Sequence, residues 1–160
     1  MKIGVGVVGL WLAAIMELGL SPHLAISVAW PTFPLIFALC LSLFTDRRGA
    51  AVTGFGAGMV VGAVRGADMT LFVGTYALTA FLVGWFGDLD LHLNAAVAGI
   101  VVLTGSLATQ LLFLFVGGHH GSLPAYLGGT LASSVYNGVI AVPMYALLNK
   151  IVAKPATSQF

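Results

Sequence analysis

Asp88 and Asp90 are the one pair of carboxylates close enough in this sequence to suggest acid/base catalysis, which needs two such groups in different roles. They lie in the stretch Gly87-Asp88-Leu89-Asp90, where no apolar surroundings would make one an acid and the other a base. We therefore interpret both as solvated loop charges.

His119 and His120 could bind a metal ion, with His23 as a third imidazole. Adjacent histidines can reach one ion only from a flexible loop, and glycines flank this pair on both sides. We interpret the segment as a polar turn at the level of the lipid headgroups and expect no metal. A three-histidine site is the alternative.

Motifs of the other catalytic classes are absent from the sequence. It has no G-x-S-x-G elbow, no G-x-x-x-x-G-K-[ST] phosphate loop, and no H-E-x-x-H or paired-cysteine metal motif. The single cysteine, Cys40, lies in an apolar run and is expected to be a packing residue. We expect a protein that is not an enzyme and needs no cofactor.

Glu17 is the only acidic residue inside an apolar run, and carboxylates within a membrane are functional candidates by default. It lies close to the end of its run, where it could anchor the helix at the outer interface. Arg65 is its candidate partner, but Asp68 is nearer to Arg65 in sequence, so we favour a local Arg65–Asp68 pair. Glu17, Arg65 and Asp68 together form a candidate outer polar pocket.

Gln110 and Asn137 are amides well inside two other apolar runs. Amides in such positions tend to form hydrogen bonds between helices, worth about 0.6 kcal/mol on average. We expect both to lock the helices together, with contact to a substrate as the alternative.

The composition requires a membrane around most of these residues. Hydrophobic residues make up 59% of the 160 residues and charged ones 7%, whereas a soluble domain has roughly 25% charged residues. A chain of this length allows about six spans of ~20 residues and no soluble domain. We predict an all-α integral membrane protein, a compact bundle of about six transmembrane helices forming a single domain over residues 1–160.

The predicted spans run from Ile3 to Leu20, Leu24 to Phe44, Ala50 to Val64, Met69 to Phe86, Ala95 to Val116 and Tyr126 to Val152. The first is interpreted as a retained anchor, because no small-x-small cleavage site follows it. Pro31 and Pro34 interrupt the second, whose helical part is expected to begin near Pro34. The third is short for a bilayer, so four or five full crossings are the alternative.

Basic residues predict the orientation. With six spans, five of the six Lys and Arg residues lie on the side of the two termini, and only Arg65 lies on the other. The positive-inside rule then places both termini on the cytoplasmic side. A net charge of +1 with no basic stripe predicts no nucleic-acid partner.

Four glycines spaced four apart, Gly54, Gly58, Gly62 and Gly66, follow one face of the third predicted span. Such a row lets a second helix approach backbone to backbone in lipid. We predict a helix-contact surface, with Gly58 and Gly62 closest to the partner. The partner is either a helix of this chain or one from another protein.

The order of several features resembles the rod shape-determining protein MreD family. The resemblance covers about residues 31 to 150 and rests on the order of glycines, prolines and tyrosines, since none of the motifs is sharp. These features are Pro34, Arg47-Arg48-Gly49, Gly54-Phe55, Gly58, Gly66, Tyr76, Tyr136-Asn137, Pro143 and Tyr145. Members of that family commonly carry an aspartate near the end of the third span, where Gly62 stands here, with Asp68 displaced into the turn.

The resemblance implies a non-catalytic component of the cell-elongation machinery in the inner membrane of a rod-shaped bacterium. Proteins of this family bind the membrane-anchored MreC and help control RodA and its partner penicillin-binding protein in lateral peptidoglycan synthesis. The partners implied are membrane proteins within the lipid bilayer. The glycine row agrees with a protein that works by helix contact.

A rival interpretation is the substrate-binding subunit of an energy-coupling-factor vitamin transporter, whose fold MreD-like proteins are thought to share. Such a subunit needs polar and aromatic side chains around a pocket at its outer mouth. The residues that could form one are Glu17, His23, Arg65, Asp68, His119, His120 and Tyr126.

Overall fold

The computed structural model describes residues 2–27, 29–66, 68–88, 94–117 and 122–152, and most of them lie in helices. The helices are α1 (Lys2–Gly19), α2 (Ser21–Leu24), α3 (Phe33–Ser42), α4 (Arg47–Arg65), α5 (Met69–Asp88), α6 (Ala95–Gly117) and α7 (Leu123–Val152). The all-helical prediction is confirmed for these residues.

Three of the described helices, α5, α6 and α7, are long and apolar enough to cross a membrane. Only 28 to 39% of their apolar windows is buried within the protein. Large apolar side chains such as Phe115 and Val139 are exposed, which is costly in water and favourable in lipid. The chain is therefore suited to a membrane, and α1 and α3 contribute shorter apolar helices.

Helix α3 is the centre of the bundle, since all ten of its residues are buried. A helix of ten residues is about 15 Å long, roughly half the thickness of the hydrocarbon core. Only the second half of the predicted span from Leu24 to Phe44 is therefore a long helix. Pro31 and Pro34 lack an N–H and disfavour helix at the residue before them. Non-helical chain therefore separates α2 from α3: Ile26 and Ala29 close a tight turn, and Trp30, Pro31 and Thr32, which we call the extended segment, lead into α3. The predicted start near Pro34 is confirmed, because α3 begins at Phe33.

The helices alternate between two ends of the bundle. At one end the ring of Phe44, just after α3, stacks on Tyr145 of α7, with ring centroids 5.0 Å apart. A Cβ built on Gly84 of α5 would lie 3.2 Å from the Cα of Arg47 at the same end. We call this the Arg47 end. The opposite end, where α1 and α4 finish and α3 and α5 begin, is called the pocket end.

Candidate functional site

The glycine row packs against α5 of the same chain, which makes α4 and α5 a tight helical hairpin. A Cβ built on Gly54 would collide with the carbonyl oxygen of Tyr76. One built on Gly58 would lie 2.6 Å from the Cα of Val73, and one on Gly62 would lie 3.0 Å from the Cα of Met69. The glycine row is thus covered by a helix of this chain.

Gly66 does not belong to this contact, contrary to the prediction. It ends α4 in the left-handed conformation, with φ of 60°, and its N–H donates to the Gly62 carbonyl at 3.0 Å. No heavy atom lies within 4 Å of a Cβ built there. The expected order of closeness also differs, since Gly54 and Gly58 approach α5 most closely. The reason is that α5 starts only at Met69, opposite Gly62.

Glu17 is a buried junction between three elements at the pocket end. Its Oε1 accepts a hydrogen bond from Nη2 of Arg65 at 3.0 Å, and its Oε2 accepts one from the N–H of Phe33 at 3.0 Å. The side chain of Glu17 is 4% exposed and that of Arg65 is 40% exposed. Glu17 therefore ties α1 to the end of α4 and to the first residue of α3.

The interpretation of Asp68 as the partner of Arg65 is wrong. No ion pair between Arg65 and Asp68 is found among the described residues, because Arg65 turns toward Glu17. Asp68 is exposed, and its carbonyl oxygen accepts the first backbone hydrogen bonds of α5. Asp68 and Thr75 line a separate cavity.

The extended segment before α3 forms backbone hydrogen bonds with side chains of α7 and of Ser21 in α2. The N–H of Trp30 donates to Oγ of Ser133 at 3.0 Å, and that of Thr32 donates to Oδ1 of Asn137 at 3.1 Å. The carbonyl oxygen of Pro31 accepts from Ser21 Oγ at 2.8 Å. Non-helical backbone at membrane depth requires such internal partners. These hydrogen bonds therefore stabilise the non-helical conformation between α2 and α3.

Asn137 is the central member of that network. It is fully buried, and its Nδ2 donates to Oγ of Ser106 on α6 at 2.7 Å. The amide thus joins α6, α7 and the extended segment. Gln110 also joins α6 to α7, through a longer bond of 3.4 Å from Nε2 to Oγ of Ser134.

A cavity of about 520 Å³ opens at the pocket end, between the extended segment and the ends of α4, α5, α6 and α7. We call it the polar pocket. One wall is aromatic, since the ring centroids of Phe72 and Phe113 lie 4.6 Å apart and those of Phe72 and Tyr76 lie 5.9 Å apart. The other lining residues include Trp30, Thr32, Arg65, Thr109, Gln110, Tyr126, Thr130 and Ser133.

The structure brings only part of the predicted outer cluster together. Arg65 and Tyr126 line the polar pocket, and Glu17 supports Arg65 from behind. His23 is exposed and does not line the pocket, and His119 and His120 lie outside the described residues.

The sequence analysis singled out Asn137 but missed the three other members of a polar stripe on α7. Thr130, Ser133, Ser134 and Asn137 are all buried in a mainly apolar helix. Their spacing of three, four and seven residues places them on one helix face. From that spacing, the polar wall of the pocket could have been predicted.

A second cavity, of about 630 Å³, is an apolar groove between α1 and the second half of α7. Its floor is formed by Phe33 and Phe37 of α3. Its walls are formed by Gly4, Val5, Val8, Gly9, Leu12, Ala13 and Met16 of α1 and by Ile140, Pro143, Met144, Leu147, Leu148 and Ile151 of α7. We call it the α1–α7 groove.

The remaining candidates for chemistry do not form a site in the described part. No group of three His, Cys, Asp or Glu side chains within it could hold a metal ion. Cys40 is buried, with its Sγ 3.8 Å from the carbonyl oxygen of Ala141. Asp90 and the side chain of Asp88 lie outside the description.

Comparison of the chain with models of protein families, with curated proteins and with solved structures finds no match.

Proposed function

We propose that this chain is a non-catalytic membrane component of the bacterial cell-elongation machinery, of the MreD type. It binds the transmembrane helix of an MreC-type protein and, through it, helps regulate RodA and its partner penicillin-binding protein in lateral peptidoglycan synthesis. The observation that carries the proposal is the α1–α7 groove. The order of motifs between residues 31 and 150 supplies the family to which the groove is assigned.

The groove has the dimensions of a bound helix. It follows α1 from Gly4 to Met16 and α7 from Ile140 to Ile151, so its walls are roughly 17 to 20 Å long at 1.5 Å per residue. The walls expose Val8, Leu12 and Leu147 by about half of their surface. An elongated, wholly apolar groove of this length fits the transmembrane helix of a single-span partner.

Gly4 lets such a helix approach closely. No heavy atom lies within 4 Å of a Cβ built on it, so its face of α1 is open. Small residues at an open helix face favour close packing between helices in lipid. The glycine row on α4, in contrast, is occupied by α5 and is not available to a partner.

The proposed topology has six passages with both termini in the cytoplasm of a bacterial inner membrane. It is supported by the alternation of α1, α3, α4, α5, α6 and α7 between the two ends of the bundle. Arg47, Arg48 and Lys150 are at the Arg47 end, whereas Arg65 is at the pocket end. The positive-inside rule then assigns the Arg47 end to the cytoplasm.

Copurification of groove variants tests the proposal. The double variant Gly4→Leu/Val8→Trp fills the groove from α1 without touching the interior, because Gly4 is open and Val8 is 59% exposed. It should insert at the normal level and no longer copurify with the single-span, coiled-coil MreC-type protein. The matched control, Gly128→Leu/Val135→Trp, places the same side chains on an exposed face of α7 outside the groove and should copurify normally. Equal recovery of the partner by both variants would refute docking in the groove.

The polar pocket favours a second candidate function, the substrate-binding subunit of an energy-coupling-factor transporter. Its volume of about 520 Å³ falls within the 300 to 1,000 Å³ typical of ligand sites. Its lining combines an aromatic wall with a few polar groups, which is the usual composition of such sites. Copurification separates the two candidates, since a transporter subunit would be recovered with two ATPases and a large membrane protein.

A further inference from the structure

We infer that the polar pocket binds a molecule carrying one singly charged anionic oxygen group, a carboxylate or a phosphodiester, with Arg65 as its anchor. The rest of the molecule packs against the aromatic wall. This inference rests on the pocket alone and holds under either proposed function.

Arg65 has donors left for a ligand. Its guanidinium carries five N–H groups in a planar fork, and the ion pair with Glu17 engages Nη2. The side chain remains 40% exposed and lines the pocket. The guanidinium carbon also lies 6.0 Å from the centre of the Phe72 ring, which adds a second constraint on its position. Arg65 is therefore held in place with a free edge toward the cavity.

The local charge fits one anion. Glu17 neutralises Arg65, but its other oxygen faces the N-terminus of α3 at Phe33. A helix N-terminus contributes about half a positive charge. Arg65 is the last residue of α4, whose C-terminus contributes about half a negative charge, so the group as a whole is close to neutral. Among the described lining residues, Arg65 is the one with a charged side chain. One anionic oxygen group can share the guanidinium of Arg65 with Glu17, whereas a second negative charge would find no other cation among the described lining residues.

The walls define the rest of the ligand. Phe72, Tyr76 and Phe113 form the aromatic wall, against which a flat ring or an acyl chain can pack. Opposite them, the hydroxyl of Tyr126 donates to the carbonyl oxygen of Gln110 at 2.7 Å, which fixes the polar wall. The ligand is amphipathic, with its charge at Arg65.

Two sources could supply this chemistry. A phospholipid headgroup carries a phosphodiester and lies at the level of the pocket end under the proposed topology. A soluble aromatic acid carries a carboxylate on a flat ring. Both place one negative charge beside an apolar part, and the experiment distinguishes them.

Fluorescence of Trp30 reports directly on the pocket, because Trp30 lines it. Replacing the other two tryptophans, Trp11→Phe and Trp85→Phe, leaves Trp30 as the sole indole, and both lie on exposed surfaces away from the pocket. The purified protein in dodecyl maltoside is titrated with two matched pairs of probes. Dihexanoyl phosphatidylglycerol is compared with dihexanoyl phosphatidylcholine, and phenylacetate with phenylacetamide.

We expect a saturable change with at least one anionic probe and a weaker one with its uncharged or zwitterionic partner. Saturation by phosphatidylglycerol alone identifies a lipid site, and saturation by phenylacetate alone identifies a soluble ligand. If neither anion saturates, or if each binds no better than its partner, the inference is overturned.

Variants test the role of Arg65. The double variant Glu17→Gln/Arg65→Gln removes the guanidinium without leaving a buried carboxylate unpaired, and it should weaken binding by about ten- to a hundredfold. Arg47→Gln removes a cation at the opposite end and should leave binding unchanged. Should the double variant unfold at lower temperature than the parent, Ala125→Leu serves instead, because it narrows the pocket from an exposed position on α7. Unchanged affinity in the folded variant contradicts the assignment, whatever the result of copurification.

Discussion

Replacing Gly58 by alanine should destabilise the protein through the α4–α5 hairpin. The added Cβ would lie 2.6 Å from the Cα of Val73 and 2.7 Å from the carbonyl oxygen of Phe72. Both are backbone atoms, so no side-chain rotation can relieve the contact. Restoring an ordinary separation of 3.4 Å requires the two helices to move apart by about 0.8 Å locally.

The magnitude follows from two opposing effects. Overpacking a tight contact costs about 1 to 3 kcal/mol, whereas alanine is favoured over glycine in a helix by up to about 1 kcal/mol. Because the contact is with backbone atoms at 2.6 to 2.8 Å, we take the overpacking cost from the upper part of its range, about 2 to 3 kcal/mol, and the net loss for Gly58→Ala is then about 1 to 2 kcal/mol. Gly58→Leu should lose more and reduce abundance in the membrane. Gly74→Ala, on an open face of α5 with no heavy atom within 4 Å, is the matched control and should be neutral or stabilising.

Thermal unfolding of the two purified variants measures this difference. For a chain of this size, 1 kcal/mol corresponds to about 2 to 4 °C in Tm, so Gly58→Ala should unfold several degrees below Gly74→Ala. Equal Tm values for both variants and the parent would refute the packing of the glycine row against α5.

Three further tests probe the remaining features. Asn137→Leu leaves the N–H of Thr32 and the hydroxyl of Ser106 without their partner, so we expect a loss of about 2 kcal/mol in unfolding free energy. If Gln110→Leu lost more unfolding free energy than Asn137→Leu, the central role of Asn137 would be contradicted. Glu17→Gln weakens a charged hydrogen bond to Arg65 and should lower the Tm, whereas Asp68→Asn should not. A lower Tm for Asp68→Asn than for Glu17→Gln would show that the Glu17–Arg65 ion pair does not stabilise the fold. Arg48→Cys should react with a membrane-impermeant thiol reagent only after the cytoplasmic face is opened, and labelling from outside intact cells would overturn the topology.

The long apolar helices could be predicted well from the sequence. The predicted spans Met69 to Phe86 and Ala95 to Val116 differ from α5 and α6 by one or two residues at their C-terminal ends. The second span could not be predicted as well, because hydropathy shows that residues 24–44 are apolar but does not show whether they are helical. Pro31 and Pro34 indicated the break, but the extended conformation depends on partners more than 100 residues away on α7.

The candidate site was predicted only in part, because some of its contacts also join residues that are distant in the sequence. Arg65 and Tyr126 were expected at the outer end, and both line the pocket. Asp68 was predicted as the ion-pair partner of Arg65 because it is close in the sequence, whereas the observed partner, Glu17, is 48 residues away. The position of the glycine row on α4 was visible in the sequence, but the identity of its partner helix depended on the tertiary fold.

Photo-cross-linking from the α1–α7 groove tests the central claim most directly. A photoreactive amino acid replaces Leu12 or Leu147, two half-exposed groove residues, and in the control it replaces Val135 on the face outside the groove. In cells, both groove positions should cross-link to the transmembrane helix of the single-span, coiled-coil MreC-type protein, and position 135 should not. Cross-links from the groove to lipid alone, or equal cross-linking from position 135, would contradict the account.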